Sequence, residues 1–330
     1  MVGVEFDVLE ATPMALTEMP RVFQTTSEKR LNHSILPMRL YHKAKKLGTW
    51  DPRDIDFTKD KEDWQGMNEA ERRVILRLCS LFVAGEEAVT LDLLPLIMAV
   101  AREGRLEEEM YLTTFLFEEA KHTEVFRRFL DEVAGETSDL SVFHKDHYRK
   151  IFYEYLPQAM GRLVHDPSPE AQAEASVTYN MVVEGVLAET GYYAFYTAIQ
   201  KENKLPGLIQ AIRLLQRDES RHIGYGTYLL SRLISENAHI WDVVNRRINL
   251  LLPHAIGVVQ DLNAELDTEE AQKLAEELGI TDVPFGLNPD EFVAYAQKQF
   301  ATRLGVLQRA RGKSVDEIYY YTEETVGVEQ

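Results

Sequence analysis

Apolar side chains recur every three to four residues along most of the chain, and short polar breaks separate these stretches. This spacing is typical of α-helices that bury one face. Asn68 is a favourable N-cap with Glu71 placed for a capping box, and Gly135 follows another helical window. No segment between residues 68 and 235 has the two-residue period of a strand, so the predicted fold class is all-α. The predicted helices span residues 37–46, 68–102, 106–134, 142–162, 169–202, 207–235, 239–265 and 290–311.

Two pairs of these helices form the centre of the predicted fold. Residues 68–102 connect to 106–134 through a short break, and 169–202 connect to 207–235 in the same way. Short connections favour antiparallel packing, and two such pairs make an up-down four-helix bundle. Because no low-complexity linker interrupts the chain, we interpret it as a single domain. Its predicted parts are an N-terminal arm (about 1–35), the four-helix core (about 68–235), extra helices (about 239–311) and a tail (312–330).

Each predicted pair ends in a helix that contains Glu-x-x-His. The copies are Glu119 with His122 and Glu219 with His222, 100 residues apart, and both read acidic–Glu–small–basic–His. Residues three apart share one face of an α-helix, so a carboxylate and an imidazole can converge on one metal ion. A further copy at residues 236–239 runs through Asn, where a helix is expected to end, and we interpret it as accidental.

One helix upstream of each motif, a further carboxylate interrupts an apolar run. Glu86 lies 33 residues before the first motif's Glu, and Glu184 lies 35 residues before the second's. Most side chains one turn away from them are apolar or small, which is unusual for a solvated Glu. Glu87 and Glu189 are rival positions, and periodicity alone does not exclude Glu189. Two helices that each give one Glu, with two that each give Glu-x-x-His, form the dinuclear site of ferritin-like bundles. We therefore expect a ferritin-like bundle with additional helices.

Four carboxylates and two imidazoles make a mainly hard, oxygen-rich ligand set. Such a set suits iron and manganese, and four negative charges balance two divalent cations. Each imidazole must be neutral to bind a metal, and its second N–H needs another partner. Asp218 and Glu118 directly precede the two motif carboxylates, so they are candidates for that role.

Composition narrows the function classes further. The net charge of −18 and the pI of about 5.0 argue against binding to nucleic acid or to an anionic membrane surface. The single Cys79 excludes an internal disulfide, a Cys-based zinc site and an iron–sulfur cluster. The N-terminus does not read as a signal peptide, and no run reaches the roughly 18 apolar residues of a membrane-spanning helix. We therefore expect a cytoplasmic protein without membrane insertion.

Several segments resemble the small, radical-generating subunit of ribonucleotide reductase. The resemblance covers about residues 38–310 and is closest to a side branch, the ribonucleotide-reductase-small-subunit-like ligand-binding oxidases. It favours Glu184 over Glu189 as the fourth carboxylate. Radical subunits usually place a Tyr four residues after the first ligating His, and this chain has Phe126 there. The most specific segments are Ala84–Thr90, Phe117–His122, Ser141–Tyr148, Tyr179–Gly185 and Asp218–His222.

The resemblance to the oxidase branch implies a manganese/iron centre, or two irons, held by the six motif residues. It implies that dioxygen drives a two-electron oxidation of a bound long-chain fatty acid or similar ligand. It also implies an ether cross-link between Val89 and Tyr179. Val89 lies three residues after Glu86 and shares its helix face. Tyr179 lies five before Glu184, about 140° away on an α-helix, so we expect it beside the ligand face.

Two alternative functions and the oligomeric state are also considered. A reductase small subunit of the type that lacks the usual radical Tyr stays open, since the manganese/iron class of that subunit also has Phe at the position of Phe126. An iron store is disfavoured because 330 residues are about twice the length of one ferritin-type bundle. We expect a homodimer, for which the sequence carries no independent signal.

Overall fold

The computed structural model describes residues 30–200, 202–261 and 288–326, and in these ranges the chain is helical without a strand. Three predicted parts extend beyond the described residues. They are the N-terminal arm up to residue 29, the end of the helix predicted at 239–265, and the last four residues of the tail. The chain divides into the units Met1–Asn32 and His33–Gln330. The helices of the described ranges all belong to the second unit, and the single-domain interpretation stays a prediction.

The described helices follow the predicted order with some changes at their ends. The α-helices are α1 (Leu36–Leu47), α2 (Thr58–Gly66), α3 (Glu69–Arg102), α4 (Leu106–Phe129), α5 (Asp146–Arg149), α6 (Leu156–Arg162), α7 (Pro169–Ser176), α8 (Glu189–Phe195), α9 (Pro206–Glu236), α10 (Ile240–Asp261), α11 (Pro289–Ala310) and α12 (Val315–Tyr319). Wider π-helical turns occupy Leu130–Ala134, Lys150–Tyr155, Val177–Ala188 and Tyr196–Gln200, and 3₁₀ turns occupy Pro52–Asp54 and Leu140–Phe143. No helix in the described ranges is long and apolar enough to cross a membrane.

The helix termini show why the polar breaks fall where they do. Asn68 accepts a hydrogen bond from the Glu71 backbone N–H, and the Glu71 side chain accepts one from the Asn68 N–H, so the predicted capping box is confirmed. The second long helix ends as predicted at Gly135, whose φ of 61° is the left-handed conformation that glycine adopts at little cost.

The structure contains one helix that the sequence pattern did not indicate, and it changes the start of another. The segment after residue 57 forms α2, which the sequence pattern did not indicate because its residues are mostly charged and show no apolar period. Its buried Asp60 accepts hydrogen bonds from the backbone N–H groups of Gly207 and Leu208. Helix α2 therefore supplies acceptors for N–H groups in the first turn of α9 that have no partner within that helix. The helix predicted from residue 142 instead begins with a 3₁₀ turn and becomes α-helical at Asp146.

The segment Val177–Ala188 is π-helical, which no sequence signal indicated. It continues α7 and leads into α8, so residues 169–200 form one helical rod. A π-helix closes its hydrogen bonds between residues five apart instead of four. Side chains five apart therefore lie closer to one face than they would on an α-helix, which matters for Tyr179 and Glu184.

The four-helix core consists of α3, α4, the rod 169–200 and α9. Its apolar interior falls into two clusters with the predicted polar residues between them. Along α4, for example, Phe115 belongs to the first cluster and Phe126 to the second, and the Glu-x-x-His motif lies between. On α3, Val89 and Phe82 flank Glu86 in the same way. This layout defines a ferritin-like helical bundle with a buried polar layer across its middle.

Candidate metal centre

All six predicted metal-binding side chains meet in the polar layer, and all six are buried. Their oxygen and nitrogen atoms form two groups in which every atom lies within 4.8 Å of the others. Glu119 and Glu219 belong to both groups, so these two carboxylates can contact both of two ions. The groups are Glu86, Glu119, His122 and Glu219, and Glu119, Glu184, Glu219 and His222.

The rival carboxylates point elsewhere. Glu87 is exposed and pairs with Arg127 at 2.8 Å on the surface. Glu189 is buried, but its carboxylate lies 3.5 Å from Gln216 Nε2 and 3.4 Å from the Tyr295 hydroxyl, and it belongs to neither group. The choice of Glu184 over Glu189 therefore agrees with where the side chains lie.

Both imidazoles face the centre through Nδ1. His122 Nδ1 lies 3.3 Å from Glu219 and 3.5 Å from Glu86. His222 Nδ1 lies 3.2 Å from Glu119 and 3.5 Å from Glu219. The two Nδ1 atoms thus address the two different groups, and each can offer its lone pair there if its proton sits on Nε2.

The outer nitrogen of each imidazole meets a carboxylate from the opposite motif. His222 Nε2 lies 2.8 Å from Glu118 Oε2, and His122 Nε2 lies 3.5 Å from Asp218 Oδ2. These are the two residues proposed from the sequence as partners of the second N–H. The sequence did not show that the pairing is crosswise. An outer carboxylate fixes the tautomer and ring orientation of a metal-binding histidine and raises its basicity.

Two cations hold these outer carboxylates. Arg221 donates to both Glu118 and Asp218, and Lys121 donates to Asp218 at 3.0 Å. Burial would raise the pKa of Asp218, but its hydrogen bond to His122 and the charges of His122, Arg221 and Lys121 lower it. Asp218 therefore stays ionised in the core. The sequence pattern contained both cations as the basic residue before each His, yet it assigned them no role.

Aromatic and amide groups fix the remaining members of the layer. Trp50 donates its indole N–H to Asp218 at 2.8 Å, and Phe115 stacks on the His222 ring with centroids 3.6 Å apart. Asn180 donates to Glu184 Oε2 at 2.9 Å. Trp50 and Asn180 lacked a recognisable spacing signal, because Trp50 is distant in sequence and Asn180 depends on the π-helical turn.

The polar layer has the properties expected of a site for two cations. Buried polar atoms in proteins are almost always hydrogen-bonded. Here several that face the centre have no partner among the described residues: Glu119 Oε2, His122 Nδ1, Glu184 Oε1, Glu219 Oε2 and His222 Nδ1. Two hard cations would satisfy these atoms and neutralise the four carboxylates. The residues present therefore fit a dinuclear metal centre.

The pKa values of the buried glutamates and histidines also indicate that this layer needs positive charge. Burial raises the pKa of Glu86 and of Glu184 well above the usual value. Burial alone would lower the pKa of His122, but Glu86, Asp218 and the central carboxylates raise it well above its usual value. Without cations the layer must hold protons, so metal binding exchanges protons for metal ions.

The two residues expected to cross-link lie beside this layer. Tyr179 is fully buried and donates its hydroxyl to Glu119 Oε1 at 2.9 Å. Tyr179 therefore reaches a carboxylate from beside the ligand face, and the π-helical turn brings it closer to that face than α-helical geometry would. Val89 lines a cavity of about 70 Å³ together with Glu86, Glu119, Glu184 and Glu219.

A buried carboxylate–histidine layer in a four-helix core defines the class of ferritin-like dinuclear metalloproteins. The family model of the ribonucleotide reductase small chain matches residues 38–269. A structure of an R2-like ligand-binding oxidase with aerobically reconstituted Mn/Fe cofactor superposes with a TM-score of 0.77. It is 42% identical, and the match covers 86% of this chain and 97% of that one.

A variant of such an oxidase, also with an aerobically reconstituted Mn/Fe cofactor, matches with a TM-score of 0.76 and 43% identity. That match covers 83% of this chain and 94% of that one. The chain belongs to the ribonucleotide reductase small-chain family and, within it, to the R2-like ligand-binding oxidases. It is therefore an oxidoreductase, and the expected family and fold class are confirmed.

The inward-facing imidazoles generate a test of the site. We expect two transition-metal ions per chain, and His122→Ala or His222→Ala should each lose at least one, because each removes a nitrogen from one group. His239→Ala is the matched control, since that imidazole lies on the surface against Glu170. The measurement is metal analysis after reconstitution and gel filtration. Full metal content in the His122→Ala/His222→Ala double variant would show that the ligand assignment is wrong.

Proposed function

We propose that this protein is a dinuclear manganese/iron oxidase, or a di-iron one, that uses dioxygen for a two-electron oxidation of a bound long-chain, fatty-acid-like ligand. The observation that carries the proposal is the cavity of about 70 Å³ against the polar layer. One part of its wall consists of four carboxylates and the rest is almost wholly apolar. Such a wall suits a ligand with a polar head and a hydrocarbon tail.

The six ligands divide the work of holding the metals. Glu119 and Glu219 would bridge the two ions, and Glu86 with His122 and Glu184 with His222 would complete the two positions. When bound, the metal pair would supply the binding and reduction of dioxygen. Around the centre, Glu118 accepts a hydrogen bond from His222 Nε2, and Asp218 lies 3.5 Å from His122 Nε2. The similarity to structures that carry a Mn/Fe cofactor supports this metal pair.

Charge couples the ligand to the metals. A fatty-acid carboxylate that approached four glutamates alone would meet like charges in a low-dielectric core. Two bound cations reverse this, so the head group can approach only the metal-loaded layer. The tail would follow the apolar wall towards Leu81, Phe152 and Leu187, which line the cavity and are only half-buried. Pockets for drug-sized ligands span roughly 300–1,000 Å³, so a long tail requires these side chains to move apart.

The ligand proposal has a direct test. Organic extraction of metal-loaded protein should release about one long-chain fatty acid per chain, identified by mass spectrometry. Ala188→Phe should lower the yield severalfold because Ala188 lines the cavity, whereas Ala301→Phe on the exposed face of α11 should not. The His122→Ala/His222→Ala variant should also release less, since its head-group site has lost cations. Recovery of no lipid from fully metallated protein would refute the ligand.

We also propose the ether between Val89 Cβ and the Tyr179 oxygen. Both side chains belong to one apolar cluster beside the carboxylates. Burial and the neighbouring glutamates raise the pKa of Tyr179 well above its usual value, so the phenol keeps its proton until it is oxidised. The proton can then pass to Glu119 Oε1, which already accepts the hydrogen bond.

The coupling balances without a further reagent. Val89 loses its Cβ hydrogen and Tyr179 its hydroxyl hydrogen, which together release two electrons and two protons as the C–O bond forms. These two electrons, with two that the metal pair would supply when bound and reduced, would balance the conversion of one dioxygen into two waters, with two more protons taken from solvent. Once formed, the ether has no O–H to donate, so the hydrogen bond from Tyr179 to Glu119 is lost.

Peptide mapping tests the cross-link. Trypsin should release residues 78–102 joined to 163–201, with a mass equal to the two peptides less two hydrogens, from metal-loaded and oxygen-exposed protein. Tyr179→Phe should abolish the join and keep the metals, because it removes only the phenolic oxygen. Tyr192→Phe is the control, since Tyr192 is equally buried on the same rod. Separate peptides from fully metallated, oxygen-exposed protein would refute the ether.

For the assembly state we propose a homodimer. Leu91, Leu94 and Met98 form an exposed stripe along α3, with Leu91 68% exposed, and Phe117 on the adjacent α4 is 53% exposed. An apolar stripe of this kind is more typical of an interface than of a free surface. A second copy of the chain can cover it by two-fold symmetry.

The stripe gives a test by light scattering coupled to gel filtration. Wild-type protein should elute as a dimer at micromolar concentration. Leu91→Glu with Leu94→Glu should yield monomer, because two like charges on each copy would then face one another. Leu250→Glu on α10 replaces a comparably exposed leucine and should leave the dimer intact. A monomeric wild type would contradict the proposal.

The reductase alternative receives less support. Phe126 is fully buried and stacks on Phe82 with ring centroids 5.1 Å apart, so the position of the usual radical phenol offers no O–H group. The similarity to ligand-binding oxidases over most of both chains favours the oxidase instead.

A further inference from the structure

A continuous series of buried aromatic rings leads away from the second metal-binding group. Phe115 stacks on His222 with centroids 3.6 Å apart. Tyr111 follows at 6.1 Å from Phe115, Tyr225 at 5.1 Å from Tyr111, and Tyr228 at 6.1 Å from Tyr225. All of these rings are fully buried. They come from α4 and α9 alone, which pack side by side.

One carboxylate serves the far end of this series. The hydroxyls of Tyr225 and Tyr228 lie 3.1 and 3.4 Å from the two oxygens of Glu108, which is itself buried. Arg232 Nε lies 3.3 Å from Glu108 and Arg105 Nη1 lies 3.7 Å from it. The carboxylate can therefore take a proton from either phenol without any movement of the backbone.

The first tyrosine differs from the other two. The Tyr111 hydroxyl is buried and has no hydrogen-bond partner among the described residues. A phenol that loses an electron becomes strongly acidic, so it is stabilised where its proton can leave. Tyr225 and Tyr228 meet that condition and Tyr111 does not. An oxidising equivalent that enters at Tyr111 therefore comes to rest on Tyr225 or Tyr228.

The series ends near the surface at α12. Arg105 donates to the Tyr319 hydroxyl at 3.1 Å and pairs with Glu236 at 2.7 Å, and its side chain is about one-quarter exposed. The adjacent Tyr320 is 55% exposed. The tail residues Tyr319 and Tyr320 thus lie at the outer end of the buried series.

We propose that Tyr111, Tyr225 and Tyr228 form a one-electron relay between the dinuclear centre and the surface at α12. The inference rests on the proposed oxidase function. When the centre is oxidised and no ligand occupies the cavity, one electron passes inward from Tyr225 or Tyr228 through Tyr111 and Phe115. The phenolic proton moves to Glu108. A one-electron reductant at the surface then returns the electron, and Glu108 returns the proton.

The relay serves a different purpose from the cross-link. The Phe115 ring also lies 5.9 Å from that of Tyr179, so the relay begins beside the residue that the ether consumes. After the ether forms, Tyr179 has no O–H left to lose. The relay then offers a series of phenols that can discharge the centre, and it protects the cavity wall from oxidation when ligand is missing.

Freeze-quench electron paramagnetic resonance tests the relay. Metal-reduced, ligand-free protein mixed with dioxygen should show a transient tyrosyl radical, and ring-deuterated tyrosine should narrow its spectrum. Tyr225→Phe with Tyr228→Phe should lower the radical yield at least fivefold, because both proton-releasing phenols are lost. Tyr192→Phe is the control, since Tyr192 is an equally buried phenol that lies off the series and has no contact with Glu108. Ascorbate should shorten the radical lifetime severalfold in wild type.

A second readout does not depend on trapping the radical. Peptide mapping after repeated oxygen exposure without ligand should show severalfold more oxidised residues around the cavity in the Tyr225→Phe/Tyr228→Phe variant than in wild type or Tyr192→Phe. A merely structural role for the tyrosines would change neither the radical nor the oxidation pattern.

The outcomes separate this inference from the proposed function. Protein that takes up two ions and forms the Val89–Tyr179 join, yet gives no tyrosyl radical or the same radical in the double variant, overturns the relay alone. Protein that takes up no metal overturns both. A radical that disappears in the double variant and persists in Tyr192→Phe supports the relay.

Discussion

Burial of four carboxylates in one dry layer is the constraint on which the rest of this structure depends. An ionised carboxylate is costly to remove from water unless cations or hydrogen-bond donors meet it. Six side chains from four helices share this layer, and several of the atoms that face its centre lack hydrogen-bond partners among the described residues. The bundle is therefore shaped to receive positive charge at that place. The dinuclear centre answers this need, and the proposed dioxygen chemistry and the proposed metal-dependent approach of an acidic ligand would both depend on it.

The layer around the centre shows how the chain manages the remaining charge. Each Glu-x-x-His motif provides the outer carboxylate for the other motif's imidazole, so Glu118 and Asp218 join the two halves of the bundle. Arg221 and Lys121 then balance those carboxylates. Removing Arg221 would take the cation from Glu118 and leave Asp218 with Lys121 alone, which is costly for buried charges. Because of this crosswise pairing, the histidine of each helix pair depends on a carboxylate from the other helix pair.

Local sequence signals indicated five of the six inward-facing residues, whereas Glu184 was chosen over Glu189 through the family resemblance. Glu119 with His122 shows a spacing of three on a helix, and Glu86 stands out among apolar neighbours. Helix α2 was not predicted because its residues are mostly charged and show no apolar period, although it packs against the start of α9. The π-helical turn around Glu184 escaped prediction because no residue type marks it. The crosswise pairing and the ring series are tertiary features, which a pattern along one helix cannot show.

The split of the apolar core into two clusters has a thermodynamic consequence. Because the polar layer lies between them, packing of the two clusters brings its four glutamates together. Metal ions that bind the folded chain in preference to the unfolded one add to its free energy of unfolding by mass action, by about 2.7 kcal/mol at a hundred times the dissociation constant. The centre then stabilises the fold as well as serving as a reactive site, and the midpoint of thermal unfolding rises with the concentration of available metal ions.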